Sequence, residues 1–106
     1  MVHTFHALGD GHRLRIVELL RDGPQPVGVI GERLQLAQPQ VSKHLKVLRT
    51  AGLVAVEARA QQRIYALAPA TFAELHGWLE RYRALWDERF DALEQVLADL
   101  ETQESR

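Results

Sequence analysis

Amide, hydroxyl and basic side chains are concentrated between positions 38 and 49 of the chain. An amide can bond adenine through two hydrogen bonds, and a lysine can bond guanine or a phosphate. Val41, Leu45 and Leu48 recur in the same stretch at helical spacing and predict an inward apolar face. The other residues, His44 and Val47 among them, would then lie on the opposite side or at the leading turn. The candidate base-reading residues are Gln38, Gln40, Ser42, Lys43 and His44.

Further basic side chains are placed where they would suit phosphate. Two of them continue the same predicted helix, where they would set the position of the protein on a duplex without reading its sequence. Others flank the linker of a predicted hairpin and could reach the backbone or a minor groove. A single exposed Lys or Arg is more often only solvated, so the prediction depends on their coincidence. The basic candidates are Lys46, Arg49, Arg59, Arg63 and Arg13, and the amide of Gln62 lies between the two hairpin arginines.

Other kinds of site have little support. The chain has no cysteine, which excludes disulfides, thiolate metal ligands and a cysteine nucleophile. It shows no paired carboxylates, Ser/His/Asp arrangement or phosphate loop, so we expect neither an enzyme nor a cofactor. In a dimer, His3 and His6 could meet His76 or a carboxylate and bind Zn, Ni or Cu. Surface or interface histidines are the favoured interpretation, and we predict no metal site.

The elements that must position these residues follow from caps and periodicity. Asp10 is a typical N-cap, and two runs of alternating apolar residues predict a hairpin closed by the linker 59–62. The first predicted helix covers 3–8 and is stopped by a left-handed Gly9, and the second lies between Asp10 and Gly23. The third helix opens at Pro26 and turns Val27, Ile30 and Leu34 inward, and the fourth runs from Gln38, with Pro39 in its first turn and Gly52 as its cap. Strands over 53–58 and 63–67 and a last helix from Pro69 to Leu100 follow.

Two short helices joined by a tight turn and followed by a hairpin give the order of a winged helix-turn-helix unit. We predict a mainly α fold with a small β-hairpin wing, in the order α-α-α-α-β-β-α. The 106 residues suit one domain, divided into a DNA-binding core over 1–68, a dimerisation helix over 69–100 and a frayed tail over 101–106. No run of about 18 apolar residues and no secretory signal is present, so we expect a cytoplasmic protein without membrane contact.

The last predicted helix carries an apolar seam that nothing else in its own chain would cover. From Leu75 to Leu100, apolar residues recur in steps of 4, 3, 4, 4, 3, 4 and 3. Residues 70–106 carry a net charge of -5 and residues 1–69 carry +4, so the basic face and the seam are separate. We predict a homodimer, with a small-molecule pocket as the alternative for the aromatic residues. The candidate interface residues are Phe5, Leu8, Trp78, Tyr82, Trp86, Phe90 and Leu93.

The chain resembles the ArsR/SmtB-type family of winged-helix repressors. The resemblance is carried by FHALGDGHRLRIVELL, QPQVSKHLKVLRTAGLV and RIYAL, and WLERYRALWDERFDALE is similar to the metal-independent, SdpR-like branch. It implies a recognition helix over 41–48 and dimeric DNA binding. The cysteines of the family's metal sensors would fall near Pro26 and Gly28, which cannot bind metal. The usual glycine near the wing tip is missing from ARAQQR.

Three functions remain open at this stage. The favoured one is a repressor, autoregulatory in the simplest case, that binds a palindromic operator as a homodimer with recognition helices about 34 Å apart. A second is a protein-interaction module that uses its long acidic helix to bind a partner. A third is a sensor that adds metal or small-ligand binding to DNA binding, with an effector of unknown identity.

Overall fold

A computed structural model describes residues 1–104 of the chain. The predicted mainly helical fold with a wing is confirmed, with one strand more than expected. The elements are α1 Val2–Leu8, α2 Gly11–Leu20, β1 Gln25–Pro26, α3 Val27–Leu34, α4 Gln38–Thr50, β2 Val54–Arg59, β3 Gln62–Leu67 and α5 Pro69–Glu104.

Local chemistry sets the helix boundaries. The Asp10 carboxylate accepts hydrogen bonds from the backbone N–H groups of His12 (2.9 Å) and Arg13 (3.1 Å), so it caps α2 as predicted. Gly52 has a φ of 77° just after α4, in agreement with its predicted role. Gly9 was predicted to be left-handed, and this is wrong: its φ is -75°. Its N–H bonds instead to the third carbonyl back, which closes α1 with a tight turn.

The second correction concerns Pro26, which is not the first helical residue. It is extended, with φ -64° and ψ 150°, and it both ends β1 and precedes α3. Gln25 and Pro26 pair with Tyr65 and Ile64, so the sheet has three antiparallel strands in the order β1-β3-β2 and not two strands. A strand of two residues has no visible alternation, and its edge position tolerates the missing N–H of proline.

Strands β2 and β3 form the wing. They pair from Val54↔Leu67 to Arg59↔Gln62, which leaves only Ala60 and Gln61 in the loop and makes the linker shorter than predicted. Two-residue hairpin loops need a positive φ, and Ala60 adopts one, 54°, without being glycine. The strands therefore extend to the tip, because cross-strand pairing continues as far as the turn allows.

The core lies where α2, α3 and α4 meet the sheet. Val41, Leu45 and Leu48 are buried on one side of α4, as their spacing predicts. Burying an aliphatic side chain of this size contributes about 1.5–3 kcal/mol, so packing and not helix propensity holds α3, which contains two glycines. The largest fully buried side chains are Ile16, Ile30, Leu45, Leu48, Leu53 and Val41.

The chain forms two compact units, one over Met1–Ala73 and one that begins at Glu74. The predicted domain boundary at 68/69 falls inside the first unit. Helix α5 continues to Glu104, four residues beyond the predicted end at Leu100, and residues 105–106 of the predicted tail lie outside the described part. No residue of α5 is buried. Within residues 1–104, no helix is both long and apolar enough to span a membrane.

Candidate nucleic-acid interface

The helix-turn-helix is formed by α3, a three-residue turn and α4. Helix α3 ends at Leu34, and the left-handed backbone of its cap residue Gln35 (φ 56°) reverses the chain. The N–H of Leu36 returns to the carbonyl of Gly31 at 3.0 Å, which fixes the turn. Helix α4 then opens with Pro39 in its first turn. With its apolar side in the core, α4 presents its polar residues other than His44 to solvent.

One row of α4 faces the wing. Ser42, Lys46 and Arg49, spaced by four and three residues, line a groove of about 300 Å³ together with Arg63 of β3. Leu45 and Tyr65 form its floor. Three basic groups and a hydroxyl thus converge on one open groove, although they are separated in sequence. A phosphate backbone is a ligand that suits such a groove.

A second groove, of about 610 Å³, adjoins the first at Arg63 and extends toward the wing tip. Gln38 and Gln62 line it, so the start of α4 and the start of β3 meet there. The N-terminal residues 27–29 of α3 also line it, and no side chain caps that helix. Backbone N–H groups at a helix start favour anions. Sequence reasoning missed this feature, although the absence of a capping residue at position 26 could have indicated it.

The remaining α4 residues differ in their surroundings. Gln40 and Lys43 are exposed, as a base-reading or phosphate-contacting role requires. His44 and Val47 do not lie on the opposite, open face, and that placement is corrected: both are half-buried, and Val47 packs against the core. Helix α2 packs against α4 at this edge, where His44 lies beside Asp10 and His12.

His44 faces the start of α2. Its Nδ1 lies 3.9 Å from the Asp10 carboxylate, its side chain is 20% exposed, and its ring centroid is 5.5 Å from that of His12. The backbone N–H of Arg13 is the main reason that the pKa of Asp10 lies below its usual value of 3.8; desolvation opposes this, and the N–H of His12 and the nearby positive charges add to it. Asp10 is thus a charged cap of α2 beside α4.

Two predicted phosphate contacts have partners within the chain. The Nε of Arg13 donates to the carbonyl of Ala7 at 2.7 Å, and its Nη2 donates to the carbonyl of His6 at 3.3 Å. Arg13 therefore ties α2 to the end of α1. Arg59, at the end of β2, lies 3.6 Å from the carboxylate of Glu57, and both side chains are largely exposed. A surface pair of this kind is weak, so Arg59 can exchange it for a phosphate.

The candidate metal and interface residues lie elsewhere. His3 and His6 are exposed on α1, and His76 lies 4.0 Å from the carboxylate of Glu80. Among residues 1–104, no cluster of three or more His, Asp or Glu could hold a metal ion. Of the predicted interface residues, Phe5 is 42% exposed, whereas Leu8 packs partly against the core. Those on α5 are half-buried or exposed: Trp78, Tyr82, Trp86, Phe90 and Leu93.

Comparison with known proteins agrees with this geometry. A family model described as "Helix-turn-helix domain" matches residues 8–57. The chain is 44% identical to the HTH-type transcriptional regulator Rv2034 of Mycobacterium tuberculosis over 79 residues, which is 74% of each chain. It is 28% identical to the transcriptional repressor SdpR of Bacillus subtilis over 79 residues, which is 74% of this chain and 88% of the repressor.

Two solved structures have the same fold. The crystal structure of the ArsR family transcriptional regulator RHA00566 matches with a TM-score of 0.72 and 26% identity, over 80% of this chain and 93% of that one. The homodimeric winged helix-turn-helix DNA-binding domain of Mb0332 from Mycobacterium bovis, a possible ArsR-family regulator, matches with a TM-score of 0.66 and 26% identity, over 74% of this chain and 73% of that one. The chain therefore belongs to the ArsR/SmtB family of winged helix-turn-helix transcriptional regulators, which are DNA-binding proteins and not enzymes.

Proposed function

We propose that this protein is a homodimeric repressor that binds a palindromic operator, including one upstream of its own gene. The observation that carries the proposal is the meeting of Ser42, Lys46, Arg49 and Arg63 in one groove between α4 and the wing. A groove bounded by a recognition helix and a wing suits a phosphate backbone, while the exposed first turns of α4 suit the base edges. The protein would act in the cytoplasm, where the DNA is.

The residues divide into two roles. Lys46, Arg49 and Arg63 lie in the groove and would contact phosphate. Gln38, Gln40, Ser42 and Lys43 lie in the first half of α4 and would read bases or contact the adjacent backbone. We place Arg59 and Gln62 on the wing as additional backbone contacts. Arg13 and His44 are left out, because their partners are within the chain.

A salt titration tests the phosphate contacts. Binding of a labelled duplex from the upstream region is measured by fluorescence anisotropy at several salt concentrations. Each lost phosphate contact reduces the magnitude of the negative slope of log K against log salt by about 0.9. Lys46→Ala and Arg63→Ala should therefore each reduce it by about 1. Arg33→Ala is the matched control, because Arg33 is an exposed arginine that lines a different groove with Arg15 and Glu18. If the slopes of the Lys46→Ala and Arg63→Ala proteins equal those of the wild type and the Arg33→Ala control, the proposed interface is contradicted.

Base reading is tested separately from backbone contact. Gln38→Ala should lower the ratio of operator binding to random-duplex binding. If an amide–adenine pair is lost, the free energy of discrimination falls by about 1–3 kcal/mol. The salt slope should stay unchanged. If no duplex from the upstream region is preferred to a random one at moderate salt, the alternative of a protein-interaction module is favoured instead.

The direction of regulation and the effector need their own measurements. In a promoter-reporter assay, the wild-type protein should lower expression and Lys46→Ala should restore it; increased expression with the wild-type protein would indicate an activator. Equilibrium dialysis with first-row metal ions, followed by operator titration, tests the alternative of a metal-responsive sensor. A metal that binds and changes operator affinity would support that alternative.

A further inference from the structure

The two grooves beside α4 meet at Arg63 but differ in the charges that line them. Among the residues that the structure describes, the groove of about 300 Å³ is lined by three basic side chains, one hydroxyl and no carboxylate. The groove of about 610 Å³ is lined by one basic side chain, one carboxylate and three amides. We call the second one the amide groove, and its polar side chains are Gln38, Gln61, Gln62, Arg63 and Glu32.

Glu32 is the residue that sets the charge of the amide groove. It lies in the last turn of α3, and it is exposed. Its carboxylate forms no hydrogen bond or ion pair with any residue in the described range 1–104. The negative charge of Glu32 therefore acts on whatever enters the groove. A carboxylate repels phosphate, so in a groove that faces DNA it opposes binding of the backbone.

Without this carboxylate, the amide groove would attract the DNA backbone. The uncapped start of α3 lines it and carries a partial positive charge of roughly half a unit. Arg63 adds a full positive charge. Both features favour a phosphate, and Glu32 offsets most of this attraction. The favourable path for the backbone is then the first groove, along Lys46, Arg49 and Arg63.

We propose that Glu32 is a specificity-determining residue, which excludes the DNA backbone from the amide groove and reserves that groove for base edges. This inference rests on the operator binding of the proposed function and adds how a wrong duplex or a wrong register is rejected. Amides both donate and accept hydrogen bonds, and a glutamine can bond an adenine through two of them. Base edges carry no net charge, so Glu32 does not repel them as it repels phosphate.

The expected effect of Glu32 differs between two classes of duplex. Specificity is a difference between two affinities, and a repulsive group that acts on the wrong complex increases it. On a random duplex no base contact fixes the register, so the backbone can lie over either groove, and Glu32 weakens part of these arrangements. On the operator, the base contacts of α4 hold the backbone in the first groove. The same carboxylate then has little effect on affinity.

A charge series at position 32 tests this inference. Glu32→Gln removes the charge at nearly constant size, and Glu32→Lys reverses it. Binding to the preferred upstream duplex and to a random duplex is measured by fluorescence anisotropy. The random-duplex affinity should rise about two- to fivefold in Glu32→Gln, the range that one surface charge contributes. It should rise further in Glu32→Lys. The operator affinity of Glu32→Gln should change much less, so that the ratio of the two affinities falls.

The salt dependence gives a second readout, which a merely structural role of Glu32 would not move. Each added phosphate contact increases the magnitude of the negative slope of log K against log salt by about 0.9. We expect a larger magnitude for Glu32→Gln on the random duplex, because the backbone then enters the amide groove. On the operator, the slope of this variant should equal that of the wild type.

Glu18→Gln is the matched control. Glu18 is an exposed glutamate on α2 that lines a different groove with Arg15 and Arg33. Its substitution changes the net charge of the chain by the same amount as Glu32→Gln. The ratio of operator affinity to random-duplex affinity should stay at the wild-type value in this control.

The outcomes separate this inference from the proposed function. If Glu32→Gln binds both duplexes as the wild type does, or gains equally on both, Glu32 is only a solvated charge. The inference is then overturned while operator binding stands. A loss of operator affinity at unchanged random-duplex affinity would show that the carboxylate itself bonds a base, and it also overturns the inference. If the wild-type protein prefers no upstream duplex to a random one, the proposed function fails, which is seen before any variant is compared.

Discussion

Replacing Gly52 by alanine should destabilise the protein, because this position joins the recognition helix to the wing in a conformation that suits glycine. Its φ is 77°, and a Cβ built there would lie 2.8 Å from Oγ1 of Thr71. The left-handed conformation costs an L-residue about 1–2 kcal/mol, and the stiffer unfolded chain offsets about 0.4–1 kcal/mol of this. Moving the half-buried Thr71 side chain away from its rotamer costs about 0.5–1.5 kcal/mol more. The free energy of unfolding should therefore fall by about 0.5–3 kcal/mol.

Urea unfolding followed by circular dichroism measures this change, at one protein concentration because dimerisation would contribute to stability. Gly28→Ala is the matched control: nothing lies within 4 Å of the Cβ it adds, and its φ is not in the left-handed region. That variant should gain about 0.5–1 kcal/mol from helix propensity. In the Thr71→Ala background, Gly52→Ala should lower the free energy of unfolding by less than it does in the wild type, because only the backbone strain remains. A Gly52→Ala protein as stable as the wild type would refute the reasoning.

Three further substitutions have expected outcomes. Asp10→Ser keeps a capping oxygen but removes the charge. Because the pKa of Asp10 is lowered in the folded state, the charge stabilises the fold above the usual pKa of 3.8, and this stabilisation is lost as the pH falls below that value. The difference in urea midpoint between wild type and variant should therefore narrow on acidification. A constant gap would show that the charge is irrelevant. Arg13→Ala removes both hydrogen bonds to α1 and should cost about 1–2 kcal/mol of unfolding free energy, with no change in the salt slope of DNA binding; a changed slope would return Arg13 to the interface. Ala60→Gly relieves the backbone strain of the positive φ at the wing tip and should stabilise the protein by up to about 1 kcal/mol. A lower melting temperature for the variant than for the wild type would mean that this strain is absent.

The sequence by itself determined the features that depend on near neighbours along the chain. The spacing of Val41, Leu45 and Leu48 identifies the buried side of α4, because the helical period places them in one line. Asp10 and Gly52 mark helix ends, because a capping carboxylate and a positive φ act within a few residues.

Only the tertiary structure decided which side chains meet. Strand β1 exists because β3 pairs with it, and two residues carry no pattern of their own. Arg13 reaches carbonyls six and seven residues back, and His44 turns to Asp10 on another helix. The groove that joins Lys46 to Arg63 depends on how the hairpin packs beside α4. Periodicity fixes which side of an element is buried, but the packing of one element against another determines the partners of its polar edges.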